Sequence, residues 1–154
     1  MKDKIIYRAA ILEDIPTLLG FEQELIAYER PFDSNLKDNC TYYDLDYLIT
    51  SSKAHLIVGH LDDRIITCGY AKIMEAKPYH KNPAYSYMGF MYVNPEFRGQ
   101  GIIQETIAQL KKWSVSKNIF EVRLEVYSEN ASALKAYLNN GFKEHMVEMK
   151  MNLK

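Results

Sequence analysis

The sequence holds only two cysteines, Cys40 and Cys68. They form no metal-ligand spacing, and they suit small buried or half-buried positions in a reducing compartment. It also lacks an excess of one charge. Lys and Arg number 19 against 20 Asp and Glu, for a net charge of −1. That balance gives no basic excess to support binding of nucleic acid or an anionic membrane as the main role. No apolar run approaches the ~18 residues a spanning helix needs, and the N-terminus has no apolar signal core. The expected location is the cytoplasm, with no membrane partner. Linkers rich in Pro, Gly or Ser are missing, as are internal repeats and low-complexity tracts.

What is present suits one folded unit. Its 154 residues are 47% hydrophobic and 25% charged, which is a globular composition and not a disordered one. One domain over residues 1–154 with a real core is expected.

The stretch Pro95-Glu96-Phe97-Arg98-Gly99-Gln100-Gly101-Ile102-Ile103 stands between an apolar aromatic run, 85–93, and a helical pattern, 102–117. A helix start offers unpaired backbone N–H groups and the positive end of the helix dipole, so it favours an anion. Gly99 and Gly101 let backbone approach a ligand closely. Arg98 adds a charge able to fork onto phosphate. The first turn has no Ser, Thr or Asp cap and no acid before Glu105. Two familiar phosphate loops do not fit: a dinucleotide fingerprint needs a third glycine, and a P-loop needs Gly-Lys-Ser/Thr.

Taken in order, residues 5–7 predict a short strand and the region after Leu12 a helix running toward Tyr28. A break at 29–35 precedes a second helix over 36–51. Residues 54–60 and 65–74 predict a hairpin turning at Asp62-Asp63. The run 85–93 is apolar on both faces, which predicts a central strand, and Gly89 marks a bulge or a close approach. Ile103, Ile107, Leu110 and Trp113 give the next helix its core face. Residues 120–127 alternate cleanly, with Val122, Leu124 and Val126 on one side. Strand, helix, strand implies a parallel pair.

After that strand come Asn130, fit to cap a helix, and Gly141, fit to end it. Tyr137 lies two turns above Asn130 on the same face. The run Asn130-x-x-Ala133-x-x-x-Tyr137-x-x-x-Gly141-Phe142, with Arg98-x-x-Gly101 about thirty residues earlier, resembles the GNAT superfamily of N-acetyltransferases. Ile103 departs from the Gly or Ala usual in that family's pyrophosphate loop. Arg8-x-Ala10-x-x-x-Asp14 resembles the opening of such chains.

The resemblance implies an α/β fold: a twisted mixed sheet of six to seven strands flanked by about four helices. It implies acetyl-CoA as co-substrate and no metal. The backbone of Met91, Tyr92 and Val93 would meet the pantetheine arm and the thioester carbonyl. Arg98, Gly99, Gln100, Gly101, Ile102 and Ile103 would hold the pyrophosphate. Asn130 and Ala133 would complete the cofactor site, and Tyr137 would be the general acid. A phenol of reference pKa about 10 stays protonated at neutral pH and can donate to a thiolate of reference pKa near 8.5. For the base, Glu75, Tyr85, Tyr87, Glu125, Tyr127 and a water chain all remain open. The acceptor wall would draw on Glu24, Tyr28, Glu29, Arg30, Phe32 and Asp33, with Glu75, Tyr87 and Glu125 also facing substrate. Acids beside aromatics suit a cationic amine.

The expected activity is acetyl transfer to a primary amine of a small molecule. A protein amino-terminus or lysine is the alternative acceptor, and a non-catalytic acyl-CoA-binding module is the alternative class. Residues 143–153 are too few for a hairpin, so one long last strand is expected, leaving an open edge that favours a homodimer. Met146, Met149 and Met151 read as core or interface.

Overall fold

Period-two and period-3.6 apolar patterns divide this chain into strands and helices that cover one another. The computed structural model describes residues 4–154. Its strands are β1 (Ile6–Ala9), β2 (Ala54–Leu61), β3 (Arg64–Glu75), β4 (Ala84–Val93) and β5 (Val122–Arg123). The helices are α1 (Ile15–Glu29), α2 (Leu45–Thr50), α3 (Ile102–Ser116) and α4 (Ala131–Asn139). The five strands lie in chain order. β1 to β4 pair antiparallel, and β4 pairs parallel with β5. The mixed α/β sheet and the parallel crossover through α3 are therefore as expected.

Each sheet face has its own apolar cluster. Leu18, Phe21, Leu45, Leu48, Val58, Tyr70, Phe90 and Tyr92 pack under α1 and α2. Ile57, Ala71, Met88 and Leu110 pack under α3. Neighbouring residues such as Tyr70 and Ala71 go to opposite faces because side chains alternate along a strand.

That alternation is broken once, in the strand that matters most. Tyr70 pairs with Gly89 and Cys68 with Tyr92, so Phe90 and Met91 together oppose Gly69. Phe90 sits at φ 53°, a left-handed conformation unfavourable for a bulky residue. The extra residue reverses the facing of everything after it. Met88 faces α3, but Phe90 and Tyr92 face α1 and α2. Gly89 itself lies beneath the Tyr70 ring. A Cβ there would meet the ring hydroxyl at 2.5 Å, so the glycine serves close packing beside the bulge.

Four elements differ from expectation. The strand count is five, not six to seven, because residues 143–154 form no strand and β5 pairs over only two residues. The rest of 120–127 leaves β4 and has no outer neighbour to hold it in a ladder. Met146, Met149 and Met151, expected in a core or interface, are more than four-fifths exposed in this single chain. α2 spans six residues, not sixteen, because residues 36–44 spend their backbone elsewhere. Arg30 donates to the carbonyls of Leu36 and Lys37, and the N–H groups of Tyr42 and Tyr43 donate to Glu22. Asp44 then caps the short helix by accepting from the N–H of Tyr47 at 3.1 Å.

The start of α1 is fixed by charge. Arg8 forks onto Asp14 at 2.7 and 2.9 Å, and Asp14 also accepts from the N–H of Ile11 at 2.9 Å. The Arg8 hydrogen bond holds the Asp14 carboxyl below its ordinary pKa, against an opposing effect of burial. A depressed carboxyl contributes stability above its unfolded pKa and loses it as pH falls through the folded value. Asp14→Asn is therefore expected to cost about 1–2 kcal/mol at neutral pH, a range kept low because Arg8 is well exposed. The difference from the parent should shrink below about pH 4. Urea melts of both chains across that range check it.

Candidate active site

β4 ends in a sequence that cannot continue a strand. Asn94 accepts from the N–H of Glu96 and opens a short 3-10 turn, Pro95–Phe97. Arg98 follows, and its Nε donates to the carbonyl of Val93 at 3.0 Å. Gly99 and Gly101 both sit at φ 77°, where an L side chain is strained. Gly101 is the N-cap of α3 and supplies no side-chain acceptor. The helix therefore starts with uncapped donors beneath an exposed glycine loop beside an arginine. Ile102 is buried and anchors the turn, and its carbonyl accepts from Thr106 at 3.0 Å and from Tyr7 at 3.3 Å. Ile103 is half-buried. Nothing in this geometry blocks an anion at the first turn.

At the other end of β4 lies a cleft of about 410 Å³. Tyr42, Tyr43 and Tyr47 line it from the α1–α2 side, and Tyr70, Tyr85 and Tyr87 from β3 and β4. Asp44, Lys72 and Glu125 supply its charges, and Leu48 and Met74 add apolar wall. Tyr43 stacks on Phe90 at 4.5 Å, so the bulge props one wall of the cleft. Burial raises the pKa of Tyr43, Tyr87 and Tyr42, and lifts Tyr70 to about 12. These phenols are neutral hydrogen-bonding groups at physiological pH. Of the base candidates, Tyr85, Tyr87 and Glu125 line the cleft, whereas Glu75 is exposed at the end of β3.

The segment from Asn130 to Phe142 folds as its residues predict. Asn130 caps α4, accepting from the N–H of Ala133 at 3.3 Å, and it is buried. Tyr137 is half-buried on α4, its ring edge-on to Phe142 at 5.8 Å. Burial, with Glu29 adding to it, pushes the Tyr137 hydroxyl up to about 12. The end of α1 reaches this region too. The Tyr28 hydroxyl lies 3.2 Å from Ser132 Oγ, Phe32 packs near Tyr127 at 6.1 Å, and Tyr127 donates to Asp33 at 2.8 Å. Tyr28 and Phe32 thus form an aromatic wall beside α4 and not within the main cleft. Glu24 is engaged elsewhere, accepting from the buried Tyr92 hydroxyl. The Tyr92 ring stacks on Phe21 at 4.2 Å, which leaves only its backbone for a ligand. The Met91 side chain turns the other way, over Gly69.

A bulged strand linking a polar cleft to an uncapped glycine loop is the arrangement that comparison then identifies. The family model described as "Acetyltransferase (GNAT) family" matches residues 21–142. This chain belongs to that family. The GNAT chain also resembles solved structures over nearly its whole length. A predicted acetyltransferase with acetyl-CoA from Clostridium acetobutylicum is 19% identical, with a TM-score of 0.74, covering 97% of this chain and 96% of that one. An aminoglycoside acetyltransferase from an uncultured soil metagenomic sample, in complex with sisomicin, is 17% identical at TM-score 0.73, covering 99% and 98%. An aminoglycoside N-acetyltransferase in complex with CoA is 16% identical at TM-score 0.76, covering 97% and 99%. No curated protein matches the GNAT chain in sequence.

Sequence reasoning missed Tyr42, Tyr43, Asp44, Tyr47 and Lys72 as cleft residues, and Glu22 beneath them. Glu22 is fully buried in α1, and one of its oxygens accepts from Tyr42 N at 3.0 Å and from Tyr43 N at 2.9 Å. A signal for it existed. Leu18, Glu22 and Ile26 recur every four residues, which puts an acid inside the apolar stripe of a helix. Among the described residues no group of His, Cys, Asp or Glu is placed to hold a metal, and no helix is long and apolar enough to cross a membrane.

Proposed function

We propose that this GNAT acetyltransferase moves an acetyl group from acetyl-CoA directly to a primary amine of a small molecule. The observation that carries the reading is β4 itself. It runs from a tyrosine-lined cleft, through the bulge at Phe90 and Met91, into the uncapped glycine loop at α3. Those residues fit the cofactor. Arg98 and the first-turn backbone from Gly99 to Ile103 would hold its pyrophosphate, as helix starts hold phosphates generally. The Met91, Tyr92 and Val93 backbone, with Asn130 and Ala133, would bracket the pantetheine arm. Bound acetyl-CoA supplies the activated acyl group as a thioester.

The chain's own residues do the rest. The bulge turns the backbone at Met91 out of the regular ladder, so it is the natural donor to a carbonyl oxygen. Tyr137 remains a phenol throughout the physiological range and donates its proton to the departing thiolate. Glu125 and Asp44 stand where they can draw a cationic amine into the aromatic cleft. The ammonium gives up one proton, to Glu125 or through water, before its lone pair attacks. The tetrahedral adduct then sheds the second amine proton to solvent. The cleft volume, about 410 Å³, falls in the range typical of small-molecule sites. The aminoglycoside acetyltransferases among the similar folds support an amine-bearing acceptor.

Calorimetric titration with acetyl-CoA, followed by thiol release against a panel of small amines and peptides, tests this reading. Binding with release on small amines is the expected result. Release only on peptides would move the acceptor to a protein amino-terminus or lysine. Binding with no release on any amine would favour a non-catalytic acyl-CoA-binding module. Absence of binding would overturn the loop assignment.

A further inference from the structure

The charges of the cleft are of both signs, and the cation is the most buried of them. Asp44 and Glu125 are exposed, whereas Lys72 is half-buried. β3 carries Lys72 between Tyr70 and Met74 on one face, and the register sets it opposite Tyr87 of β4. The sheet therefore lays a lysine among the rings of the cleft floor. Its Nζ stands 5.8 Å from the centroids of both the Tyr70 and the Tyr87 ring. Those distances lie near the outer limit of a cation–π contact, which offsets only part of the cost of taking an ammonium out of water. Among the described residues Lys72 forms no ion pair, although two carboxylates line the same cleft. The neighbouring cation is already committed. Arg123 stands over the Tyr85 ring at 3.9 Å and is ion-paired with Glu121.

An acceptor entering this cleft meets Lys72 first as a source of sign. The Tyr70 and Tyr87 rings already hold an ammonium, so they are no empty cage for a second one, and a polycation on the floor meets like charge. An anion there meets a donor with three N–H bonds to give. The nearest acid lies toward the reacting end. β5 runs parallel to β4, so the step from Arg123 to Glu125 follows β4 in the direction of the bulge at Phe90 and Met91. Lys72 is level with Tyr87, short of that bulge.

We propose that the acceptor is an aminocarboxylate, with Lys72 holding its carboxylate while its amine faces Glu125 and the bulge. One lysine without an arginine fork or a backbone nest beside it suits a singly charged carboxylate better than a phosphate. The inference rests on the acyl-transfer reading and narrows its substrate.

Thiol release with saturating acetyl-CoA tests it, on amino acids each paired with the amine that lacks only the carboxylate. Phenylalanine with phenethylamine and leucine with isopentylamine are two such pairs, and sisomicin serves as the polycation. In the parent, kcat/KM should favour the carboxylate member by about 10–100-fold, mostly through KM. Lys72→Met should bring that ratio near one, and Lys72→Arg should restore much of it. The ratio is taken within each chain, so a general loss of folded protein does not mimic the effect. Calorimetric titration of the CoA complex with N-acetylphenylalanine and N-acetylphenethylamine reads the same charge without turnover. Only the acid should bind, and Lys72→Met should abolish its binding. A parent that favours the decarboxylated amines or sisomicin would overturn the proposal, as would a carboxylate preference that survives Lys72→Met. Release on no amine, with Lys72-dependent binding of the acid, would refute the acyl-transfer reading and leave Lys72 as a carboxylate site. Neither release nor such binding would overturn both.

Discussion

Glu22→Ala is expected to destabilise the fold by about 3–4 kcal/mol, a large share of a domain's ordinary margin. The carboxyl is fully buried and accepts both the Tyr42 and the Tyr43 N–H. Alanine leaves two partly buried donors without their acceptor and opens a void beside Leu18 and Ile26, and each effect is costly. Glu22→Gln keeps the shape and one acceptor oxygen, and should lose about 1–2 kcal/mol. Urea denaturation of the three chains separates these cases. The effect should also reach the cleft, because Tyr42 and Tyr43 form its wall and Tyr43 stacks on the bulged Phe90. In the glutamine variant, acceptor KM should therefore rise while acetyl-CoA affinity at the α3 loop holds. A stability within about 0.5 kcal/mol of the parent for Glu22→Ala would refute the role given to this residue.

Tyr137→Phe is expected to lower kcat by about 10²–10³-fold, the usual contribution of a positioned general acid. Acetyl-CoA affinity should change by less than about twofold, since the ring and its edge contact with Phe142 remain. The pH profile gives an independent check. Burial and Glu29 raise the Tyr137 pKa to about 12, so its proton is fully present at lower pH. An alkaline loss of activity at about pH 8–9 is therefore expected to belong to another group. Unchanged turnover in Tyr137→Phe would remove the acid assignment while leaving the cleft and loop intact.

Local chemistry explains which features were legible beforehand. Gly99, Gly101 and the lack of a capping side chain announced a bare helix start, and α3 begins there. Asn130 announced the cap of α4, and Asp62-Asp63 the β2–β3 turn, where Asp62 takes φ 52°. These signals depend on neighbours within a few residues. The extent of α2 and of β5 was misjudged for the opposite reason. Glu22 and Arg30 draw the backbone of 36–44 away from a helix across many residues, and β5 is short because the chain beyond Arg123 leaves β4.

The sequence by itself determined the order of the elements, the mixed sheet, the anion-friendly loop and the spacing of Asn130, Tyr137 and Gly141. Each is written in periodicity, caps and glycines, which act locally. Only the tertiary structure decided that Phe90 and Met91 together oppose Gly69 and reverse the face of β4. It also brought Tyr42, Tyr43, Tyr70 and Tyr87 to one cleft, drew Glu24 to Tyr92 and left residues 143–154 unpaired. Those outcomes depend on which distant backbone groups find partners, and a one-dimensional pattern carries no information about that pairing.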